Sequence, residues 1–139
     1  MKNLTLLNLK KNRLAEIDEL LFEELKQLKT LKLHNNQIEV IPPRTFASLT
    51  KLEELDLGEN KIELIDKDLF NSLQSLKKIY LKNNNIHSLH MDTFKKTLSL
   101  RKVYMANNPI AINESAYLKS LCKDGVVDIE YSGLSCVIS

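Results

Sequence analysis

Few side chains in this sequence have the types and spacing that suit catalysis or metal binding. Of the three histidines, only His87 and His90 are close together, and His34 belongs to a different part of the chain. A zinc site needs three or four converging ligands, and His87-x-x-His90 has neither a nearby cysteine nor a set of carboxylates. Cys122 would act as a nucleophile only with a base beside it, and no histidine lies in that region. The sequence therefore favours no enzyme, no metal site and no cofactor.

Exposed aromatic and charged side chains offer a different chemistry, namely recognition of another molecule. Tyr80 and Tyr104 are far apart in the sequence, and each is preceded two positions earlier by a lysine, Lys78 and Lys102. Tyrosine is one of the residues that dominate the energy of protein interfaces. These side chains meet only if neighbouring elements of the fold carry them, so the elements must be identified first.

A pattern of leucines and one asparagine recurs with a 24-residue period along most of the chain. Between Leu52 and Ile62 the pattern reads L-x-x-L-x-L-x-x-N-x-I, and two copies precede it and two follow it in the same frame. The asparagines of the five copies are Asn12, Asn36, Asn60, Asn84 and Asn108, and phenylalanines recur in a second register at Phe22, Phe46, Phe70 and Phe94. A fixed period between about 20 and 50 residues is typical of a solenoid.

Within each copy, apolar and polar residues alternate as they do in a β-strand with one buried face. Leu55 and Leu57 point to one side, whereas Glu54, Asp56 and Gly58 point to the other. One turn buries too little apolar surface to be stable alone, so successive strands are expected to pair as a parallel sheet. The asparagine after each strand can donate to and accept from backbone groups of the bend, which predicts a structural role.

These residues resemble the leucine-rich repeat, and the added F-x-x-L half resembles its 24-residue "typical" subclass, over about residues 4–110. The resemblance implies an α/β fold, a right-handed solenoid with a curved parallel sheet on its concave face and short helical or irregular segments on its convex face. Residues 1–108 would form about five repeats, and residues 109–139 a C-terminal helical cap. Thr97 departs from the pattern, because the other copies have leucine there, and we expect looser packing at that position.

The segment after Asn108-Pro109 is similar to a C-terminal cap of this family. Asn113 suits the N-cap of a short helix and Gly125 the position just past its end, and an extended segment is expected over 126–131. The usual cap has four cysteines and a tryptophan, whereas this chain has no tryptophan and only Cys122 and Cys136. The resemblance implies a disulfide between those two cysteines; the alternative is a pair of buried free thiols in a cytosolic protein.

Length and composition set limits on the class of protein. The chain has 139 residues, of which 43% are hydrophobic and 27% charged, with a net charge of +2. This charge gives no reason to expect nucleic acid, and without a run of 18 apolar residues no membrane insertion is expected. The first strand begins near Leu4 without a polar cap. That favours a fragment of a longer repeat protein, or a first turn that packs against another subunit.

The outward positions of the predicted strands form the candidate site. Successive copies place Lys32 beside Asp56, Glu54 beside Lys78, and Tyr80 beside Tyr104. An interface would use these positions, whereas the alternative is that the first two pairs neutralise each other across the sheet. The predicted partner-binding residues are Lys32, His34, Glu54, Asp56, Lys78, Tyr80, Lys82, Lys102 and Tyr104.

These features predict a non-catalytic module that binds another protein through the concave sheet face. The resemblance implies an extracellular or cell-surface location with a role in innate immunity or adhesion, and Asn3 and Asn113 lie in sequons for glycosylation. One alternative is a cytoplasmic scaffold with free thiols. Another is a structural protein that self-associates, forming a homodimer through the first turn or through the concave face.

Overall fold

The computed structural model describes residues 2–110, Ser120, Asp128–Tyr131 and Leu134–Cys136. Within these residues, seven short strands form one sheet in the order of the sequence. They are β1 (Leu6–Asn8), β2 (Thr30–Lys32), β3 (Glu54–Asp56), β4 (Lys78–Tyr80), β5 (Lys102–Tyr104), β6 (Asp128–Tyr131) and β7 (Leu134–Cys136). Strands β1 to β6 pair in parallel, and β7 pairs antiparallel with β6. The parallel sheet predicted from the repeat is confirmed.

The register of the sheet follows the 24-residue period, so equivalent residues of successive turns lie side by side. Leu31, Leu55 and Ile79 are paired in this way, and all three are completely buried. Leu57, two positions after Leu55, is also completely buried, and its N–H donates to the Tyr80 carbonyl at 2.8 Å. The core is therefore a stack of apolar layers behind the sheet, and the residues between these positions project from the other side.

The repeated asparagines tie each turn to the turn before it. Asn60 accepts a hydrogen bond from the Ile38 N–H at 3.1 Å, and it donates to the Leu33 and Leu57 carbonyls at 3.1 Å each. The equivalent asparagines of the turns immediately before and after it make the same set of bonds. Because these bonds satisfy backbone groups in the buried bend, the structural role predicted for these residues is confirmed.

In residues 2–110, hydrogen-bonded turns rather than helices connect the strands. Backbone bonds three residues apart, such as Leu25 N–H to the Phe22 carbonyl at 3.0 Å, form these turns. The phenylalanines fill the space beneath them. The rings of Phe22 and Phe46 stack with centroids 6.3 Å apart, and those of Phe70 and Phe94 with centroids 5.8 Å apart. The aromatic rings therefore continue the layered packing on the side away from the sheet.

Thr97 takes the place of a core leucine in the fourth turn. It is 4% exposed, and its hydroxyl donates to the Phe94 carbonyl at 2.8 Å. A buried hydroxyl is tolerated when it has a hydrogen-bond partner. Thr97 thus remains part of the core, with its polar atom satisfied within its own turn.

One backbone position in every turn adopts the left-handed conformation. The φ angle there lies between 50° and 61°, and the residues are Lys11, Asn35, Glu59, Asn83 and Asn107. Asparagine adopts this conformation more readily than other residues with a side chain. Each of these residues immediately precedes the repeated asparagine, so the left-handed residue turns the chain out of the strand and brings that asparagine into the bend.

Part of the predicted cap lies outside the described residues. This applies to Cys122, to Asn113 and to all of the predicted helix except Ser120. The described part of the expected extended segment is strand β6, which pairs with β5 and so extends the parallel sheet. Strand β7, which ends at Cys136, was not expected from the sequence.

Candidate functional site

The sheet face is the surface formed by the outward side chains of β2 to β5 and of the residues just after these strands. The structure places on it all of the residues predicted to bind a partner, which are Lys32, His34, Glu54, Asp56, Lys78, Tyr80, Lys82, Lys102 and Tyr104. All of them are exposed or half-buried. The parallel register aligns them in rows across the strands, so they form one continuous surface. Their role in binding stays a prediction.

Two stacked tyrosines lie on β4 and β5, the last two strands of this surface. Tyr80 and Tyr104 are paired across β4 and β5, and their ring centroids are 4.6 Å apart with an angle of 3° between the ring planes. Neighbouring strands are about 4.8 Å apart, so the repeat itself sets the ring separation. Both residues are half-buried. The pair is therefore a preorganised aromatic surface that loses little conformational freedom on binding.

The Tyr80 hydroxyl has an elevated pKa. Burial is the largest cause, and the charges of Glu54, Tyr104 and Asp56 raise the pKa further. Each of these effects disfavours the negatively charged phenolate. Tyr80 therefore stays neutral at physiological pH and keeps its hydroxyl hydrogen as a donor.

Three lysines surround the tyrosine pair. The Lys82 amine lies 5.4 Å from the centroid of the Tyr104 ring, a distance suited to a cation–π contact. Lys78 and Lys102 are exposed and aligned across β4 and β5. Among the residues that the structure describes, no carboxylate oxygen lies within 4.0 Å of either of these two amines. This side of the sheet face is therefore positively charged.

An acidic group borders the tyrosines on the β3 side. His34 lies between two carboxylates, with Nδ1 3.5 Å from Asp56 Oδ1 and Nε2 3.5 Å from Glu59 Oε1. Gly58 leaves the space that the histidine needs, because a Cβ atom there would lie 2.9 Å from His34 Nδ1. The absence of a side chain at Gly58 thus allows His34 to lean toward β3.

The lateral ion pairs considered from the sequence are not present in the described part of the chain. Lys32 is aligned with Asp56, and Glu54 with Lys78, but neither pair has an N–O distance within 4.0 Å. Asp56 instead accepts a hydrogen bond from the Gly58 N–H at 3.0 Å. Its other neighbour is His34, so Asp56 is oriented by its own strand end and by the histidine.

Sequence reasoning missed the amide pair at the rim of the sheet face. Asn107 Nδ2 donates to Asn83 Oδ1 at 2.7 Å, and both residues occupy the left-handed position of their turns. Glu59, which contacts His34, occupies the same position of an earlier turn. Glu59, Asn83 and Asn107 follow one another at intervals of 24 residues. This spacing could have identified them from the sequence as neighbours on successive turns.

Neither a metal cluster nor a membrane span is found in the part of the chain described here. No three His, Cys, Asp or Glu side chains among residues 2–110 and the short described segments beyond them are arranged to hold a metal ion. Over the same residues, no helix has the length and apolar character needed to cross a membrane.

The repeated part of the chain matches a known protein family. Residues 2–62 and 50–110 each match the family model described as leucine rich repeat. The chain is a leucine-rich repeat protein. No curated protein sequence matches this leucine-rich repeat chain at a significant level.

Several solved structures resemble the leucine-rich repeat chain. The structure of a TLR13–ssRNA13 complex is 29% identical over 92% of this chain and 18% of its own, with a TM-score of 0.81. The leucine-rich repeat domain of APL1B is 27% identical over 74% of this chain and 31% of its own, with a TM-score of 0.73. The Drosophila Toll–Spatzle complex is 29% identical over 75% of this chain and 14% of its own, with a TM-score of 0.73. The chain thus spans less than a third of each of these proteins.

Proposed function

We propose that this leucine-rich repeat chain is a non-catalytic module that binds another protein through its sheet face. The observation that carries the proposal is the stacked pair of Tyr80 and Tyr104. Side chains of the core bury apolar surface, but these rings are on the outward side and remain accessible. Aromatic anchors held rigidly at the centre of a surface are typical of interface hot spots. The similarity to Toll in its complex with Spatzle supports a protein as the partner.

Substitution of both tyrosines tests the surface. The chain and its Tyr80→Ala/Tyr104→Ala variant are applied in parallel to an array of purified proteins, and the affinities of the recovered pairs are measured. We expect the double substitution to weaken binding by at least about 2 kcal/mol, because it removes both anchors. Leu64→Ala/Met91→Ala is the matched control, since both side chains are exposed, at 71% and 70%, and lie outside the strands.

Two results would contradict the choice of surface. The first is binding by the tyrosine variant that stays within about 0.5 kcal/mol of the original chain, which is below the hot-spot range. The second is a larger loss in the Leu64→Ala/Met91→Ala control than in the tyrosine variant. Circular dichroism of all three proteins shows whether the fold is retained.

The proposed location is the cell exterior or the cell surface, with a role in innate immunity or adhesion. Similarity to Toll and to the APL1B domain supports this location, and the exposed Asn3 is available for glycosylation. We expect Cys122 and Cys136 to be joined by a disulfide, as is usual for an oxidising compartment. Alkylation of the denatured protein, followed by mass measurement, should modify neither cysteine until a reductant is added. Two alkylated cysteines without reductant would favour a cytoplasmic scaffold.

Self-association is the second candidate function. Leu4, Leu7 and Leu9 of the first turn are only half-buried, and Leu6 is 52% exposed. An exposed apolar surface of this kind favours contact with a second copy. Sedimentation at increasing protein concentration distinguishes the two functions, because a dimer that Leu6→Lys abolishes would favour self-association over recognition of a different protein.

A further inference from the structure

Two of the lysines around the tyrosines, Lys78 and Lys102, have no carboxylate partner within residues 2–110. Lys78 and Lys102 are aligned on adjacent strands, an arrangement of like charges that destabilises a sheet. Lys77, by contrast, has a carboxylate partner in Glu53, with an N–O distance of 3.4 Å. Asp128 of β6 is aligned with Lys102 on its other side, and within residues 2–110 no carboxylate forms an ion pair with either aligned lysine. These two amines are therefore available to an external anion.

The β3 side of the sheet face is different, because two of its carboxylates, Asp56 and Glu59, already have neighbours within the protein. Asp56 is held by the Gly58 N–H and faces His34, and Glu59 faces the other nitrogen of the same histidine. The strongest charge that the sheet face presents to a partner is therefore the positive charge of Lys78 and Lys102. Electrostatic complementarity then requires carboxylates opposite them.

The acidic residues also limit the kind of anion that fits. Glu54 and Asp56 lie on β3, one strand away from Tyr80 and about 4.8 Å from it in the pairing direction. A uniformly charged polymer such as RNA would meet these carboxylates as it crossed the strands, with like-charge repulsion as the result. A protein segment can place acidic residues over β4 and β5 and neutral or basic residues over β3.

We propose that the partner contacts the sheet face with an extended acidic segment, whose carboxylates lie against Lys78 and Lys102 and whose apolar side chains cover Tyr80 and Tyr104. This inference rests on the proposed function and specifies the chemistry of the partner. The planar surface of the stacked tyrosines takes up the apolar side chains, and the two amines fix the register of the segment. Like-charge repulsion from Glu54, Asp56 and Glu59 disfavours acidic residues of the partner on the β3 side.

Selection of short random peptides displayed on phage tests the proposal with the complete chain as target. We expect the recovered peptides to carry more Asp and Glu than the starting library, next to apolar or aromatic residues. A recovered peptide is then synthesised and its affinity measured for the original chain and for Lys78→Glu/Lys102→Glu. Because repulsion replaces attraction at both sites, we expect this variant to bind roughly tenfold or more weakly.

A matched control carries the same change in net charge elsewhere. Lys26 and Lys96 are exposed and lie outside the strands, so Lys26→Glu/Lys96→Glu should keep the affinity within roughly threefold, the range of distant charge effects under screening salt. Single-stranded RNA serves as a second probe under the same conditions. We expect it to bind more weakly than the peptide.

Each other outcome overturns the proposal in a recognisable way. Peptides that lose affinity with Tyr80→Ala/Tyr104→Ala but not with Lys78→Glu/Lys102→Glu would refute the acidic segment and leave the proposed surface intact. Peptides that are indifferent to both variants would refute the surface as well. RNA that binds more tightly than any peptide and is lost with Lys78→Glu/Lys102→Glu would identify a nucleic-acid site instead. Recovery of no peptide, or of basic peptides, would also refute the acidic segment.

Discussion

Replacing Asn60 by alanine is expected to lower the free energy of unfolding by about 3 kcal/mol. The Ile38 N–H donates to Asn60 Oδ1, and the substitution leaves this buried donor without that partner. The Leu33 and Leu57 carbonyls lose less, because each also accepts from the asparagine of a neighbouring turn. The loss therefore comes mainly from one unsatisfied N–H and from the cavity where the amide was.

Asn12→Ala is the control for this prediction, because Asn12 occupies the same position in the first turn. Asn12 is exposed, and its amide donates to the Leu9 carbonyl of its own turn at 2.9 Å. We expect Asn12→Ala to cost less than about 1 kcal/mol, as is usual for an exposed hydrogen bond. Urea denaturation of both variants measures the difference. Equal losses at the two positions would show that burial and the bond to Ile38 do not determine the cost.

Phe70→Ala is expected to lower the free energy of unfolding by about 4 kcal/mol. Phe70 is completely buried, and its ring stacks on that of Phe94 with an angle of 4° between the planes. Loss of the ring removes buried apolar surface and leaves a cavity between two turns, which the stacked layers fill only in part. The stability of the variant, followed by urea denaturation, checks this value.

Two further variants show whether the effect comes from the stack. Leu64→Ala removes a side chain that is 71% exposed, and we expect a change within about 0.5 kcal/mol. Phe70→Ala combined with Phe94→Ala should cost less than the sum of the two single substitutions, because the rings share a contact. Strict additivity would show that the contact between the rings contributes nothing to stability.

Much of the fold follows from the period of the sequence. Leu31, Leu55 and Ile79 were expected on one side of successive strands, and they are aligned and buried. A residue repeated at a constant interval has the same environment in every turn, so the pattern predicts register as well as strand position. The same reasoning predicted the bonds of the repeated asparagines, because an amide in a bend has to satisfy backbone donors and acceptors.

The candidate site was less predictable than the core. The sequence placed Tyr80 beside Tyr104, and the register confirms this placement. It also allowed an ion pair between Lys32 and Asp56, whereas the structure pairs Asp56 with His34. The side chain of Lys32 has many rotamers of similar energy. The strand register fixes the position of its backbone but does not select one of these rotamers.

The sequence by itself determined the number of repeated strands, their order along the sheet and which residues project from each side. It did so because one physical constraint, the burial of an apolar layer by the next, acts in every turn of the repeat. Only the tertiary structure decided that the tyrosine rings stack, that His34 lies between Asp56 and Glu59, and that β6 and β7 extend the sheet. These features depend on side-chain rotamers, or on strands outside the repeat, which no periodic pattern specifies.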